Sequence, residues 1–322
     1  MLTDTQYGFR ENRSTNMAIS TLFDSLVTNM DNGLITGGIF LDLSKAFDTV
    51  NHEILLRKLS HYGIRGISNH WFKSSLSNRT QFVKYNSVES STISVSCGVP
   101  QGSILGPLLF LIYINDLTNV SNILKAILFA DDTNLFYSHK DIRNLKSTLN
   151  NELIKISEWF KANKLSLNAD KSHYMLFGQN TSLQNIIIKI DNNIISKVNK
   201  IKFLGVIIDE KLNWKSHIEL ITTRVSRGIG ILNKASKFLP THILPTIYST
   251  LVLPHLQYCN LTWGKNYNIR LYALHLLQKM AIRIINRAGY LDHSLPLFKK
   301  SKQLTIFDIN KLQIASLMYK IL

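Results

Sequence analysis

The 322-residue sequence predicts an α+β fold, a sheet with helices on one face that gives way to a helical region from about Trp214 onward. Three observations predict it. Apolar runs of strand length alternate with helical patterns up to that point, two of these runs bracket a pair of adjacent aspartates, and the remaining chain has a helical pattern. Taken in order, Gly37 to Leu41 reads as a short buried strand that ends in the carboxylate of Asp42. Thr49 or Asn51 caps a helix through Leu55 and Leu59. Gln81–Tyr85 and Thr92–Val95 read as strands around the polar turn at Asn86-Ser87, and Ser103 caps a helix through Leu109 and Tyr113. Ile127–Phe129 and Leu135–Tyr137 flank Asp131-Asp132 as the arms of a hairpin with an acidic tip. Leu145, Leu149, Leu153, Ile156 and Phe160 recur at helical spacing. Met175–Phe177 and Phe203–Ile208 are further strand candidates.

Composition narrows the function. Lys and Arg number 37 against 21 Asp and Glu, a balance of +16, which suggests a polyanionic partner: nucleic acid first, an anionic membrane surface second. The surplus is uneven. Residues 215–322 hold 15 basic and 3 acidic residues, whereas residues 1–214 hold 22 and 18. One region therefore has the acids for chemistry, and the other has the charge to grip phosphates. In the stretch 269–288, Leu274, Leu277, Ala281, Ile284 and Ala288 fall on one side and Lys279, Arg283 and Arg287 on the other. Such a stripe is most often a solvated face, but an all-positive one also suits backbone binding. The two cysteines, Cys97 and Cys259, lack metal-ligand spacing and read as free buried thiols. No secretory pattern follows Met1, and the longest apolar run, Pro107–Ile114, is too short for a bilayer. An intracellular soluble protein is expected.

Asp42, Asp131 and Asp132 sit where nucleotidyl transfer needs acids. The reaction activates a 3′ oxygen and neutralises a pyrophosphate leaving group, which two divalent ions about 3.5–4 Å apart do together. Mg²⁺ takes oxygen ligands and keeps several waters, so a few carboxylates suffice. Read alone, Asp131-Asp132 is as readily a turn pair and Asp42 a helix-flanking residue.

The wider wording separates these readings. Phe40–His52 (FLDLSKAFDTVNH) resembles motif A of reverse transcriptases, Gly98–Pro107 (GVPQGSILGP) motif B, and Phe129–Asp132 (FADD) motif C. Leu165–Asn168 with Lys171 resembles motif D, and Phe203–Val206 with Asp209, Leu212 and Trp214 resembles motif E, the primer grip. Gln6–Arg10 with Arg13–Thr15 is similar to the block before motif A in LINE-type enzymes. Order and spacing match throughout, and the wording is similar to jockey- and CR1-like non-LTR retrotransposons, with group II intron enzymes the nearest confusion.

The resemblance implies a right-hand polymerase fold: a remnant of the fingers at 1–36, a palm with interleaved finger elements at 37–214 and a helical thumb at 215–322. It implies an RNA-directed DNA polymerase that extends a DNA 3′ end on an RNA template with dNTPs and two Mg²⁺ ions, Mn²⁺ substituting, in the nucleus. Asp42, Asp131 and Asp132 would be catalytic metal ligands, with the backbone carbonyl of Leu43 beside them. Phe47 would be the steric gate against a ribose 2′-OH, though it also reads as a core aromatic. Gln101 would lie against the nucleotide or template base in a turn shaped by Pro100 and Gly102, and Lys171 would approach the triphosphate. Arg10, Arg13, Gly205, Lys279, Arg283 and Arg287 would touch template or primer, while Tyr113 and Trp214 pack. Because motif A follows so soon after Met1, the N-terminal fingers and an upstream endonuclease are expected to be missing. The rival expectation is a catalytically inactive nucleic-acid-binding remnant of such an element.

Overall fold

The computed structural model describes residues 2–178, 186–265 and 268–321; Met1 and Leu322, the ends of the expected regions, lie outside them. The chain forms two compact units. The first takes the residues up to Ala18 with Asp24–Asn199, the second takes Ile19–Phe23 with the residues from Lys200 on. The division falls before Lys200 and not after Trp214, because the hairpin beginning there belongs with the helices that follow it.

In the first unit the elements are α1 (Thr15–Asp31, apart from Ile19–Phe23), β1 (Ile35–Leu41), α2 (His52–His61), α3 (Gly66–Leu76), β2 (Arg79–Gln81), β3 (Lys84–Tyr85), β4 (Val88–Glu89) and β5 (Ile93–Val95). They continue with α4 (Leu105–Ile114), β6 (Lys125–Phe129), β7 (Asp132–His139), α5 (Ile142–Ala162), β8 (His173–Phe177), β9 (Ile188–Ile190) and β10 (Asn193–Lys197). A six-stranded sheet runs in the order β6-β7-β1-β8-β10-β9, antiparallel except where β10 meets β8.

Central β1 is the key strand. Successive residues of a strand face opposite sides, and here Ile39 and Leu41 enter the helix-covered core with Leu145, Leu149, Leu153, Ile156 and Phe160 of α5. A Cβ on Gly37 would stand 2.6 Å from Leu149 Cδ1, and one on Gly38 2.9 Å from the Phe136 ring, so the two glycines let both layers close on β1. Asn51 caps α2 as expected, its Oδ1 accepting the N–H of Ile54 at 3.1 Å. Ser103 works one residue before the N-cap Ile104: its Oγ accepts the Gly106 N–H at 2.9 Å and donates to the Pro100 carbonyl at 2.8 Å. Tyr113 is fully buried, as its packing role requires.

The expected strand pair around Asn86-Ser87 is broken into two short ladders, β2 with β5 and β3 with β4. Asn86 and Ser87 both have positive φ, the backbone of a tight two-residue hairpin turn. This arm leaves Phe82, Val83, Tyr85, Val88 and Ile93 exposed. Cys97 is exposed, against expectation, because it lies in the open loop after β5, while Cys259 is buried.

In the second unit the elements are β11 (Lys200–Phe203), β12 (Val206–Asp209), α6 (Lys215–Ala235), α7 (Leu244–Leu251), α8 (Leu253–Gln257), α9 (Asn260–Trp263), α10 (Asn268–Asn286), α11 (Ser294–Lys300) and α12 (Ile306–Ile321). The strand expected at Phe203–Ile208 is a hairpin instead, because Leu204 and Gly205 both take positive φ and turn the chain. The buried face of α10 is Leu271, Leu274, Gln278, Ala281, Ile282 and Ile285. It is rotated from the predicted stripe because Gln278, although polar, satisfies three partners inside: the Tyr248 hydroxyl, the Leu304 carbonyl and the Ile306 N–H. Trp214 is buried, its ring 5.4 Å from that of Phe23. Among the described residues, no helix is long and apolar enough to cross a membrane.

Leu149→Ala should cost about 2–5 kcal/mol in urea unfolding, the range for a large-to-small core change. Asn51→Ala, which removes only the cap, should cost about 1 kcal/mol.

Candidate active site

The register of β1 against β7 pairs Leu41 with Thr133, the residues next to Asp42 and Asp132, and the charge of Asp42 is felt at Asp132. The β6–β7 hairpin supplies its acidic tip through a turn in which Ala130 has φ 54° and Phe129 pairs with Asp132. Residues directly opposite in an antiparallel pair have Cβ atoms about 4.5–5.5 Å apart. The fold thus brings Asp42, Asp131 and Asp132 together from two places in the sequence.

Their electrostatics register the crowding. Loss of hydration, and then the charges of Asp131 and Asp42, push the Asp132 carboxyl up from 3.8 to about 6. Repulsion of this kind is what a bound cation relieves. Among the described residues, no group of three or more His, Cys, Asp or Glu side chains is arranged to hold a metal ion by itself. Carboxylates alone are the donor chemistry of a hard divalent ion that takes water for its remaining ligands.

Asp42 is held by its main chain. Its carbonyl accepts the Asn168 N–H at 2.9 Å and its N–H donates to Ser172 Oγ at 3.2 Å. Leu43 pairs with Leu167, and the Ser44 N–H donates to the Ser166 carbonyl at 2.9 Å. The segment Ser166–Ser172 is therefore a clamp on the end of β1, with Lys171 exposed in the same turn. Nothing in the local pattern marked Ser172 for this task.

A second set of bonds joins the loop after Asp42 to the loop before α4. The Val99 N–H donates to the Phe47 carbonyl and the Gly98 N–H to the Val50 carbonyl, each at 2.8 Å. His52 Nε2 donates to the Gly98 carbonyl at 2.7 Å. A Cβ on Gly98 would stand 2.7 Å from the Asp48 carbonyl, and its φ is +88°, so glycine is required twice over. Exposed Gln101 donates from Nε2 to Asp48 Oδ1 at 2.8 Å. Asp48 and His52 are thus site-shaping residues that the sequence reading passed over, although both lie within its motif. Phe47 is half-buried and stacks on Phe110, with centroids 4.5 Å apart.

The other predicted residues make contacts of their own within the chain. Arg10 donates to the Thr3 carbonyl at 2.5 Å; Arg13 pairs with Asp4 at 3.1 Å and lies over the Tyr7 ring. In the second unit, Gly205 sits in the β11–β12 turn, where the Tyr258 hydroxyl donates to the Leu204 carbonyl at 2.6 Å. Lys279 lies over Tyr272, Arg283 Nε donates to the Asp292 carbonyl at 3.0 Å, and Arg287 donates to the Leu239 carbonyl at 3.1 Å. Two guanidiniums of the basic stripe therefore tie down loop carbonyls.

The sheet, its acidic hairpin and the pinned loops define the class, a polymerase palm. The chain matches the reverse transcriptase (RNA-dependent DNA polymerase) family over residues 1–208 and belongs to it. Divalent-metal dependence comes with that family. The chain is 28% identical over 321 residues to a probable RNA-directed DNA polymerase from transposon X-element of Drosophila melanogaster, covering 95% of this chain and 34% of the relative. It is 27% identical over 302 residues to the RNA-directed DNA polymerase from mobile element jockey of the same organism, covering 88% and 32%. It thus spans about a third of the length of these relatives. A telomerase from Candida albicans, solved with a TWJ fragment of telomeric RNA, aligns at TM-score 0.50 and 12% identity, covering 94% of this chain and 55% of that one. That likeness shows the right-hand polymerase fold.

Because the folded state holds the Asp132 proton more tightly than the unfolded chain, the associated stability is full below about pH 4 and is lost as pH rises through about 6. In metal-free buffer Asp132→Asn should therefore stabilise the protein at pH 7 by on the order of 1 kcal/mol, discounted for solvent screening, with no gain at pH 4. Urea unfolding at both pH values measures the difference.

Proposed function

We propose that this chain is the polymerase core of a non-LTR retrotransposon reverse transcriptase, which extends a DNA 3′ end with dNTPs on an RNA template in the nucleus. The observation that carries the reading is the juxtaposition of Asp42 with the Asp131-Asp132 hairpin in a chain of the reverse transcriptase family. Asp42 and Asp131 would hold two Mg²⁺ ions, with Asp132 and the Leu43 carbonyl supporting. The ions supply Lewis acidity at the attacking and leaving oxygens.

The protein's own part is placement. Asp42 stays at the strand end because its peptide groups are bonded on both sides to the Ser166–Ser172 clamp. Phe47 is held by its backbone to Val99 and by its ring to Phe110, so on this reading its ring would be the flat wall that meets a ribose 2′-OH. Gln101, steadied by Asp48, is available to the nucleotide or template base, and exposed Lys171 to the triphosphate. On this reading Arg10, Arg13 and Gly205, with Lys279, Arg283 and Arg287, would contact template or primer. For Arg283 and Arg287 that role adds to the carbonyl contacts they already make. By the same reading residues 1–36, 37–214 and 215–322 serve as partial fingers, palm and thumb.

Primer extension on poly(rA)–oligo(dT) tests the reaction. Asp42→Asn and Asp131→Asn should each lower Mg²⁺-dependent extension at least about 10²-fold while template–primer binding stays within a few-fold. Extension that survives both changes would overturn the assignment of these acids, whereas an inert wild-type chain that still binds the duplex would favour a nucleic-acid-binding remnant. Phe47→Val should lower the ratio of kcat/KM for dNTP over rNTP by one or more orders of magnitude, since an unpaired buried hydroxyl costs about 1–3 kcal/mol. An unchanged ratio would leave Phe47 as core only.

A further inference from the structure

We propose that Gln6 is the positioning residue of the acidic hairpin, holding the turn from which Asp131 projects; the inference rests on the metal-dependent reading above. Strand β6 is an edge of the six-stranded sheet, and Thr5–Tyr7 fills that edge. The Leu128 N–H donates to the Thr5 carbonyl at 2.9 Å and the Tyr7 N–H to the Leu128 carbonyl at 2.8 Å. Between these bonds Gln6, 1% exposed, turns its side chain to the hairpin tip. Its Oε1 accepts the Ala130 N–H at 3.0 Å and the Gly8 N–H at 2.8 Å.

Ala130 is the residue that needs holding. Its φ of 54° is a conformation that costs a non-glycine residue about 1–2 kcal/mol and is kept only where the surroundings enforce it. Gly8 is pressed against the same turn: a Cβ there would stand 2.5 Å from Ala130 N and 3.0 Å from the Phe129 carbonyl carbon. Asp131 is the next residue along.

The other end of the Gln6 amide is informative. Nε2 is buried and finds no hydrogen-bond partner among the described residues. Leaving an amide N–H₂ unpaired in the interior is costly, and an apolar side chain of equal length would avoid that cost. A residue kept only for packing has no reason to be glutamine. A residue kept for its carbonyl oxygen, which satisfies two N–H groups at the hairpin tip, does. The amide orientation is fixed by those two donors, since reversing it would set N–H₂ against both.

The expected consequence is on geometry at the metal, not on substrate affinity. Gln6→Met keeps the volume and removes the acceptor, whereas Gln6→Glu keeps an acceptor. Mn²⁺ binding, titrated by electron paramagnetic resonance on the full chain without nucleic acid, should weaken about five-fold or more in Gln6→Met and return to within two-fold of wild type in Gln6→Glu. In primer extension, Gln6→Met should lose about ten-fold or more in kcat with KM for dNTP within two-fold. Should Gln6→Met not fold, Gly8→Ala pushes on the same turn and should weaken Mn²⁺ binding similarly. Mn²⁺ affinity unchanged in the folded variants, equal damage from Met and Glu, or a wild-type chain that binds no Mn²⁺ would overturn the proposal. A chain that follows the Mn²⁺ pattern but extends no primer would retain the positioning role and remove the polymerase reading.

Discussion

The antiparallel register of β1 between β7 and β8 is the constraint on which the rest depends. Leu41 opposite Thr133 and Phe40 opposite His173 fix which face each residue of β1 meets, and so fix where Asp42 emerges. A slip of one residue would turn Asp42 towards the helix-covered core and Leu41 towards the opposite face. Two features guard against it. Gly37 and Gly38 are the positions where α5 and the Phe136 ring come too close for any side chain. Ile39 and Leu41 are then anchored among the buried leucines of α5.

Beyond the register, the site is a set of loops pinned to one another by main-chain bonds. The loop after Asp42 is tied to Gly98 and Val99, and the end of β1 is tied to Ser166–Ser172. Most of these contacts use peptide groups, which do not vary with side chain. The demand they place on sequence is mainly steric, and it is sharpest at Gly98, where backbone meets backbone. Loops held this way can keep reacting groups in register without burying them, which would suit the polymerase role proposed for the site.

Much of this was legible beforehand. The strand ending at Asp42, the acidic hairpin and the α5 face announce themselves through periodicity, and periodicity reports local structure well. What the sequence concealed was non-local or conformational. Leu204 carries no signal for a positive φ, so β11 and β12 read as one strand. Gln278 looks like a surface residue until its three distant partners are known. Asp48 and His52 stand inside a recognised motif, yet their partners lie near residue 100 and no spacing rule links them.

The exposure of Cys97 has a practical side. Sulfhydryl reagents need a thiolate they can reach. Cys259, buried, has its thiol pushed up to about 12 and is inert to them, whereas Cys97 stands open beside Gly98, in the loop pinned to Asp48. With two cysteines in the sequence, maleimide chemistry addresses a single position without mutagenesis. A fluorophore attached there would sit one residue from the junction of the two loops. Its emission would respond to changes in the surroundings of that junction, a spectroscopic handle already built into the chain.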